Sequence, residues 1–385
     1  MTLETCFLKK TTVVNPTDYK PLRFHDYFRR TYYIPLIFGF NWLPFPISKS
    51  RIVRILFATY SLSLSFGCSI LVLKFVKNVY CSPYLFIALE YVTTVSLLIL
   101  VDVRNREKFF KKLEVIDEQL HVSTSYYNQL KTVTLVGVVF VLFTRLLYST
   151  ALCYGFKFYC DESPFVICIS AFVLIAVDSN QMPRLIVFHL IKYRMRLLRI
   201  RVEDLFKCAT VAVISSKDEK KNLVLYQETY GIILESISTI SNIVNPFFLV
   251  SLVCSFPKIM FLLYNIIVLH KKGVQITQLL ILAAEAVQWG FIACLPGIVF
   301  ETTRAQVDKL KVTLLQRYKK SSSTDEVIQA EIKEFLNYIE LRPCRYYLYR
   351  LISVDITLPV GLFHLCTTYL IVMIQFSHLF EDTTY

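Results

Sequence analysis

The sequence predicts an all-α polytopic membrane protein with seven transmembrane helices, the N-terminus cytoplasmic and the C-terminus extracellular. Three observations carry that expectation. The chain has 385 residues, of which 55% are hydrophobic and only 18% charged, and its mean hydropathy is +0.50. That is more apolar than a soluble domain. Apolar stretches able to cross roughly 30 Å of hydrocarbon, which takes ~20 helical residues, recur along the whole chain. Basic residues are concentrated in every second connection between them.

Six spans stand out directly: Ile52 to Val76, Tyr84 to Val101, Val133 to Tyr154, Phe165 to Leu190, Thr277 to Phe300 and Ile356 to Phe380. A further apolar region, Ile237 to Leu269, is divided by Pro257 and Lys258. Its second part is too short to cross alone, so it reads as one long helix kinked near Pro257. The stretch Tyr32 to Ile47 is apolar too, but Pro35, Pro44 and Pro46 interrupt it. It reads as an interfacial segment.

Seven spans put the termini on opposite sides, and Lys and Arg decide which is which. The first 51 residues and connections 102–131, 191–230 and 301–350 hold 33 of them. The alternate connections hold Lys77, Lys157, Lys271 and Lys272, and the tail EDTTY holds none. Cytoplasmic loops carry that excess. The resulting division is a cytoplasmic segment 1–51, helices 1 to 6 with cytoplasmic extensions over 52–300, anchor helices over 301–351, a seventh helix over 352–380 and an extracellular tail 381–385. An epitope tag after Tyr385 is expected to label on intact cells and a tag before Met1 only after permeabilisation. The reverse pattern would remove the orientation.

The same charges limit function. A net charge of +13 spread between apolar runs is not a nucleic-acid patch. A G-protein-coupled receptor would need the opposite orientation, and the pair Asn245-Pro246 falls in the fifth span, where it reads as a polar kink. No internal repeat of the transporter kind is evident. The start MTLETCFLKKTTVV lacks the charged-then-apolar order of a cleaved signal, so the N-terminus is expected to be retained. The 11 cysteines include Cys68, Cys168, Cys254, Cys294 and Cys366 inside apolar runs, and no metal-ligand spacing appears. No cofactor is called for. Cys81 and Cys160 fall in connections, where a disulfide between them is left open. His364 follows Asp355 by nine residues, but no nucleophile, Gly-rich loop or metal cluster accompanies them, so catalysis is not expected.

Ionisable residues inside spans are costly and mark function by default. Glu90, Arg145 and Glu285 all fall toward the outer side, with Asp178 nearer mid-membrane. Tyr91, Tyr148, Gln288 and Trp289 could add aromatic and polar contacts, making these eight the candidate ligand residues. The competing reading is a structural ion pair between Arg145 and one of the acids. Two apolar stripes mark the inner connections: Val307, Leu310, Leu314 and Tyr318, then Ile328, Ile332, Phe335 and Ile339. They belong to helices that lie on the membrane or pack against protein, with KKSSSTDE, residues 319 to 326, as the turn between them.

The last span contains TTYLIVMIQF, residues 367 to 376. Positions seven apart differ by about 20° around a helix axis, so Thr368 and Gln375 share a face with Val372 and Leu379. Leu370, Met373 and Ser377 point elsewhere. An amide on lipid would be unsatisfied, so Gln375 should face protein or a water-filled path.

Thr368-Tyr369, five hydrophobic residues and Gln375-Phe376 also resemble the signature of the insect gustatory receptor family, at the expected place in a chain of the expected length. The resemblance implies a tetrameric, ligand-gated, non-selective cation channel in the plasma membrane of sensory neurons. Four copies of the last helix would line its pore, from this chain alone or with other receptor subunits. Thr368, Val372, Gln375, Phe376 and Leu379 then become the pore and gate positions, with Gln375 and Phe376 near the outer gate. Its partners would be a small-molecule tastant, permeant cations and membrane lipid. Family members that sense sugars often have an acidic residue after the Tyr, whereas Leu370 stands here; this favours a non-sugar tastant such as a bitter compound. The resemblance also implies packing of the inner helices as an anchor. Related insect odorant receptors have a similar architecture, so an odorant role stays open, with a transporter behind it.

Overall fold

A computed structural model describes residues 36–40, 51–75, 82–101, 103–155, 164–211, 216–320 and 326–382. Its helices are α1 (Arg51–Phe75), α2 (Ser82–Leu100), α3 (Val103–Leu120), α4 (Thr124–Gly155), α5 (Pro164–Val211), α6 (Ser216–Lys271), α7 (Ile276–Lys320), α8 (Glu326–Leu341) and α9 (Thr357–Asp382). Two short strands, β1 (Tyr347–Leu348) and β2 (Ile352–Ser353), pair antiparallel between α8 and α9. Among the described residues, seven helices are long and apolar enough to cross a membrane: α1, α2, α4, α5, α6, α7 and α9.

The helices outrun the apolar runs that define them. At 1.5 Å per residue the 48 residues of α5 and the 56 of α6 extend roughly 70 to 85 Å, more than twice the hydrocarbon thickness. Past their apolar portions, sequences such as LIKYRMRLLRIRVEDLF in α5 continue with strong helix formers. Pro246 and Pro257 remain within α6, so the divided fifth region is one helix. Membrane helices tolerate such prolines because neighbours re-satisfy the freed carbonyls.

Burial differs sharply among the spans. In the most apolar window of α5, 72% of residues are buried, against 17% in α9. The fourth span is therefore the post around which α1, α2, α4, α6 and α7 pack, while α9 leans on α6 and α7 from outside.

Both inner stripes are used inside the chain. Val307, Leu310 and Leu314 of α7 and all four of Ile328, Ile332, Phe335 and Ile339 of α8 are buried, while Tyr318 is partly exposed. Helix α8 packs on α6 and α7. A Cβ at Gly231 of α6 would stand 2.7 Å from the Tyr338 hydroxyl of α8, so a side chain there would push the far end of Tyr338 aside. Of the stretch read as interfacial, residues 36–40 are described: Ile37 is exposed, while Phe38 packs on Phe172 and Phe40 on Tyr91. A turn at Gly39, with φ of +79°, aims both rings inward. Cys81 and Cys160 lie outside the described residues.

The hairpin is the small β exception in an all-α chain. Three residues connect the strands; Tyr349 and Arg350 both have positive φ, 50° and 62°, and the Leu351 amide donates to the Leu348 carbonyl at 3.0 Å, closing a turn with two left-handed central residues. Its buried flanks hold it in place: the Val354 amide donates to the Tyr346 carbonyl at 3.0 Å. Asp355 then caps α9, accepting from the Thr357 hydroxyl at 2.5 Å and the Thr357 amide at 2.8 Å, and these bonds lower its carboxyl pKa. A Cβ at Gly297 of α7 would meet the Asp355 carbonyl at 3.1 Å, so α7 and the start of α9 are in close approach.

Candidate functional site

Three helices present polar residues to one point at helical spacing. Ser251, Ser255 and Lys258 share a face of α6, Leu174, Asp178 and Gln181 a face of α5, and Glu285, Trp289 and Ile292 a face of α7. Glu90 arrives from α2 and Arg145 from α4. Except for Glu285, these residues line one cavity together with Ile87 and Val177.

The charges in it are paired. Arg145, 1% exposed, donates from Nε and Nη2 to the two carboxylate oxygens of Asp178, at 2.5 and 3.1 Å. Its Nη1 lies 3.6 Å from Glu285 Oε1, in ion-pair range but beyond a hydrogen bond. Lys258 donates to Glu90, and its ammonium sits 4.0 Å from the centre of the Trp289 ring. Gln181 donates to Ser251 at 2.7 Å. Arg184, fully buried one turn along α5, donates to the Asn180 and Phe247 carbonyls at 3.5 and 3.0 Å. Pairing and backbone bonds are what make burying these charges tolerable. The remaining space is about 20 Å³, enough for a water molecule. An organic ligand would need side chains to move.

Of the eight residues expected from the sequence, Glu90, Arg145, Asp178 and Trp289 line the cavity and Glu285 touches it through Arg145. Tyr148 stands 5.9 Å from the Arg145 guanidinium. Tyr91 turns away: its hydroxyl donates to the Phe38 carbonyl at 2.8 Å. Gln288 is half-buried and outside the lining. Sequence reasoning missed Lys258, treating it with Pro257 as an interruption. The signal was its place after Ser251 and Ser255 at i, i+4, i+7.

The second candidate region is the outer face of α9. Leu358, Leu362 and Cys366 are buried against the bundle, and Leu370 and Met373 pack on the core. Thr368, Val372 and Gln375 are exposed on the other face, where Thr368 donates to its own helix at His364. Tyr369 lies between the faces, half exposed, with its ring 5.5 Å from Phe256 of α6. Phe376 and Leu379 continue the helix, and their side chains lie outside the described residues.

A polar connection joins α9's base to the bundle. The Tyr346 hydroxyl donates to Asn245 Oδ1 at 2.6 Å, and its ring packs on Phe188 and Phe300. Asn245 is thus more than a kink residue. It ties the fifth span to the segment entering the seventh.

No family model matches the chain, and no curated protein matches it in sequence. Solved structures do match. The insect olfactory receptor OR5 from Machilis hrabei superposes with a TM-score of 0.63 over 91% of this chain and 98% of that one, at 15% identity. The chain has the fold of an insect olfactory receptor. The same receptor in complex with eugenol gives a TM-score of 0.64 at 14% identity, over the same shares of both chains. At such low identity the shared property is this seven-span, all-helical architecture.

Proposed function

We propose that this protein is a chemoreceptor subunit of the insect type, a ligand-gated non-selective cation channel that detects small organic chemicals in taste. The observation that carries this reading is α9. It is the least covered of the seven spans, and Thr368 and Gln375 of its signature lie with Val372 on a face its own chain leaves open. A helix so placed fits four copies around a central pore, in the plasma membrane of a sensory neuron, alone or with related subunits. Thr368, Val372, Gln375, Phe376 and Leu379 are the pore and gate residues in this reading, and the charged cavity is the ligand site. Leu370 after the signature Tyr favours a non-sugar tastant such as a bitter compound.

The olfactory fold match, in which one structure holds eugenol, favours a second reading as an odorant receptor subunit. Cells expressing the chain, tested with sugars, bitter compounds and volatile odorants, separate the two. The expected result is a ligand-evoked current whose reversal potential follows the cation gradient. A coupled flux without such a reversal would make the protein a transporter. The responding ligand then tests the cavity. Exchanging the Arg145 partners in turn at equal surface expression, Asp178→Asn is expected to move the half-maximal concentration by about tenfold or more, the scale of one charge-assisted hydrogen bond, and Glu285→Gln, which has only the 3.6 Å contact, by less. Unchanged dose responses in both would move the site elsewhere.

A further inference from the structure

Lys258 is 3% exposed in the apolar part of α6, a position where an ammonium group is costly. Two groups compensate it. The Glu90 carboxylate accepts from its Nζ, and the Trp289 ring faces it at 4.0 Å. A carboxylate beside an aromatic face is a general recogniser of organic ammonium ions. Here it opens on a cavity whose further polar lining includes Gln181, Ser251 and Ser255. We propose that the cavity binds an organic ammonium ion, and that in the ligand-free protein the Lys258 side chain occupies that ion's place. This rests on the cavity being the ligand site.

The surrounding charges allow the exchange. Three carboxylates, Glu90, Asp178 and Glu285, serve two cations, Lys258 and Arg145. Asp178 holds Arg145 by two hydrogen bonds, whereas Glu285 has only the 3.6 Å contact. Glu285 also lies one helical turn before Trp289 on α7, so a Lys258 ammonium leaving Glu90 has a second carboxylate close by. The remaining buried cation of this region, Arg184, lies outside the lining and gives its hydrogen bonds to backbone carbonyls. Space comes from the same movement, since the open volume is about 20 Å³ and the withdrawing four-carbon side chain frees room for an alkyl tail. A neutral ligand that moved Lys258 aside would leave Glu90 only the charge of Arg184, which makes no ion pair with it, and a carboxylate ligand would add a fourth anion. Both outcomes are strongly disfavoured.

The test uses the full-length protein in lipid nanodiscs and length-matched probes that differ in charge. Lys258→Ala removes the equivalent of n-propylammonium. That variant is expected to unfold at lower temperature than wild type and to be restored by n-propylammonium, but not by 1-propanol or propionate, through ligand linkage. Wild type is expected to bind n-hexylammonium about tenfold or more tightly than 1-hexanol or hexanoate, with the preference reduced by Trp289→Leu. Should Lys258→Ala fail to fold, the double variant Glu90→Gln with Lys258→Met removes both charges of the pair, leaves neither orphaned, and is expected to lose the ammonium preference. Equal rescue by propanol, or an ammonium preference that survives in the double variant, overturns the proposal. If hexanol binds wild type as tightly as hexylammonium and Trp289→Leu weakens both, the cavity remains the ligand site and the ammonium class is wrong. If no probe of any charge binds, the cavity reading fails with it.

Discussion

Arg194→Met is expected to keep most of the protein from reaching the cell surface. Arg194 is fully buried in α5, and its Nη2 donates to Asp117 of α3 at 2.7 Å and to the Tyr127 hydroxyl of α4 at 2.8 Å. Tyr127 itself donates to Asp117, and Arg194 Nη1 donates to the Leu190 carbonyl at 3.0 Å. Three helices thus meet on one guanidinium. Methionine fills a similar volume but leaves the Asp117 charge buried without a cation, a loss of about 3 to 5 kcal/mol. Adding Asp117→Asn removes the orphaned charge, so the double variant is expected to recover most of the surface level and unfolding temperature. Surface biotinylation and thermal unfolding in detergent provide the measurement. If single and double variants behave alike, the cluster is not held by its charge pair.

The second large effect is expected at Gln375, whose side chain is exposed on α9. In the proposed fourfold arrangement one substitution changes four positions around a narrow passage, where a ring of amides replaces part of an ion's hydration shell. Gln375→Ala is expected to alter permeability ratios among monovalent cations and block by large ones. Gln375→Cys is expected to make current sensitive to thiol reagents applied from outside. Met373→Ala, on the packed face of the same helix, should change expression more than selectivity. Single-channel recordings that show unchanged conductance, selectivity and thiol block at position 375 in an opening channel would assign Gln375 to helix contacts instead.

Both predictions concern charges or amides in apolar surroundings, yet they differ in how visible they were beforehand. The Gln375 stripe follows from local geometry alone, because a helix fixes which residues share a face. The Arg194 cluster joins residues 77 and 67 positions apart in the chain. In the sequence Arg194 is one of many basic residues in the connection 191–230, and nothing local marks it as buried.

The sequence by itself determined the seven spans, the continuity of the fifth through Pro257, the apolar stripes of α7 and α8, and the polar face of α9. Each is set by hydropathy or periodicity within a few turns of one helix, so no distant contact is needed to read it. The tertiary structure alone decided that α5 is the central post, that both inner stripes are largely buried within one chain, and that Phe38 and Phe40 pack on Phe172 and Tyr91. It also chose the charge pairs. Arg145 takes Asp178 closely and Glu285 loosely, while Glu90 takes Lys258 rather than Arg145. Buried ions must find partners in a medium that screens them weakly, but which partner is nearest depends on the rotation and depth of five helices packed together. Helical periodicity fixes a residue's place on its own helix and leaves those relative positions open.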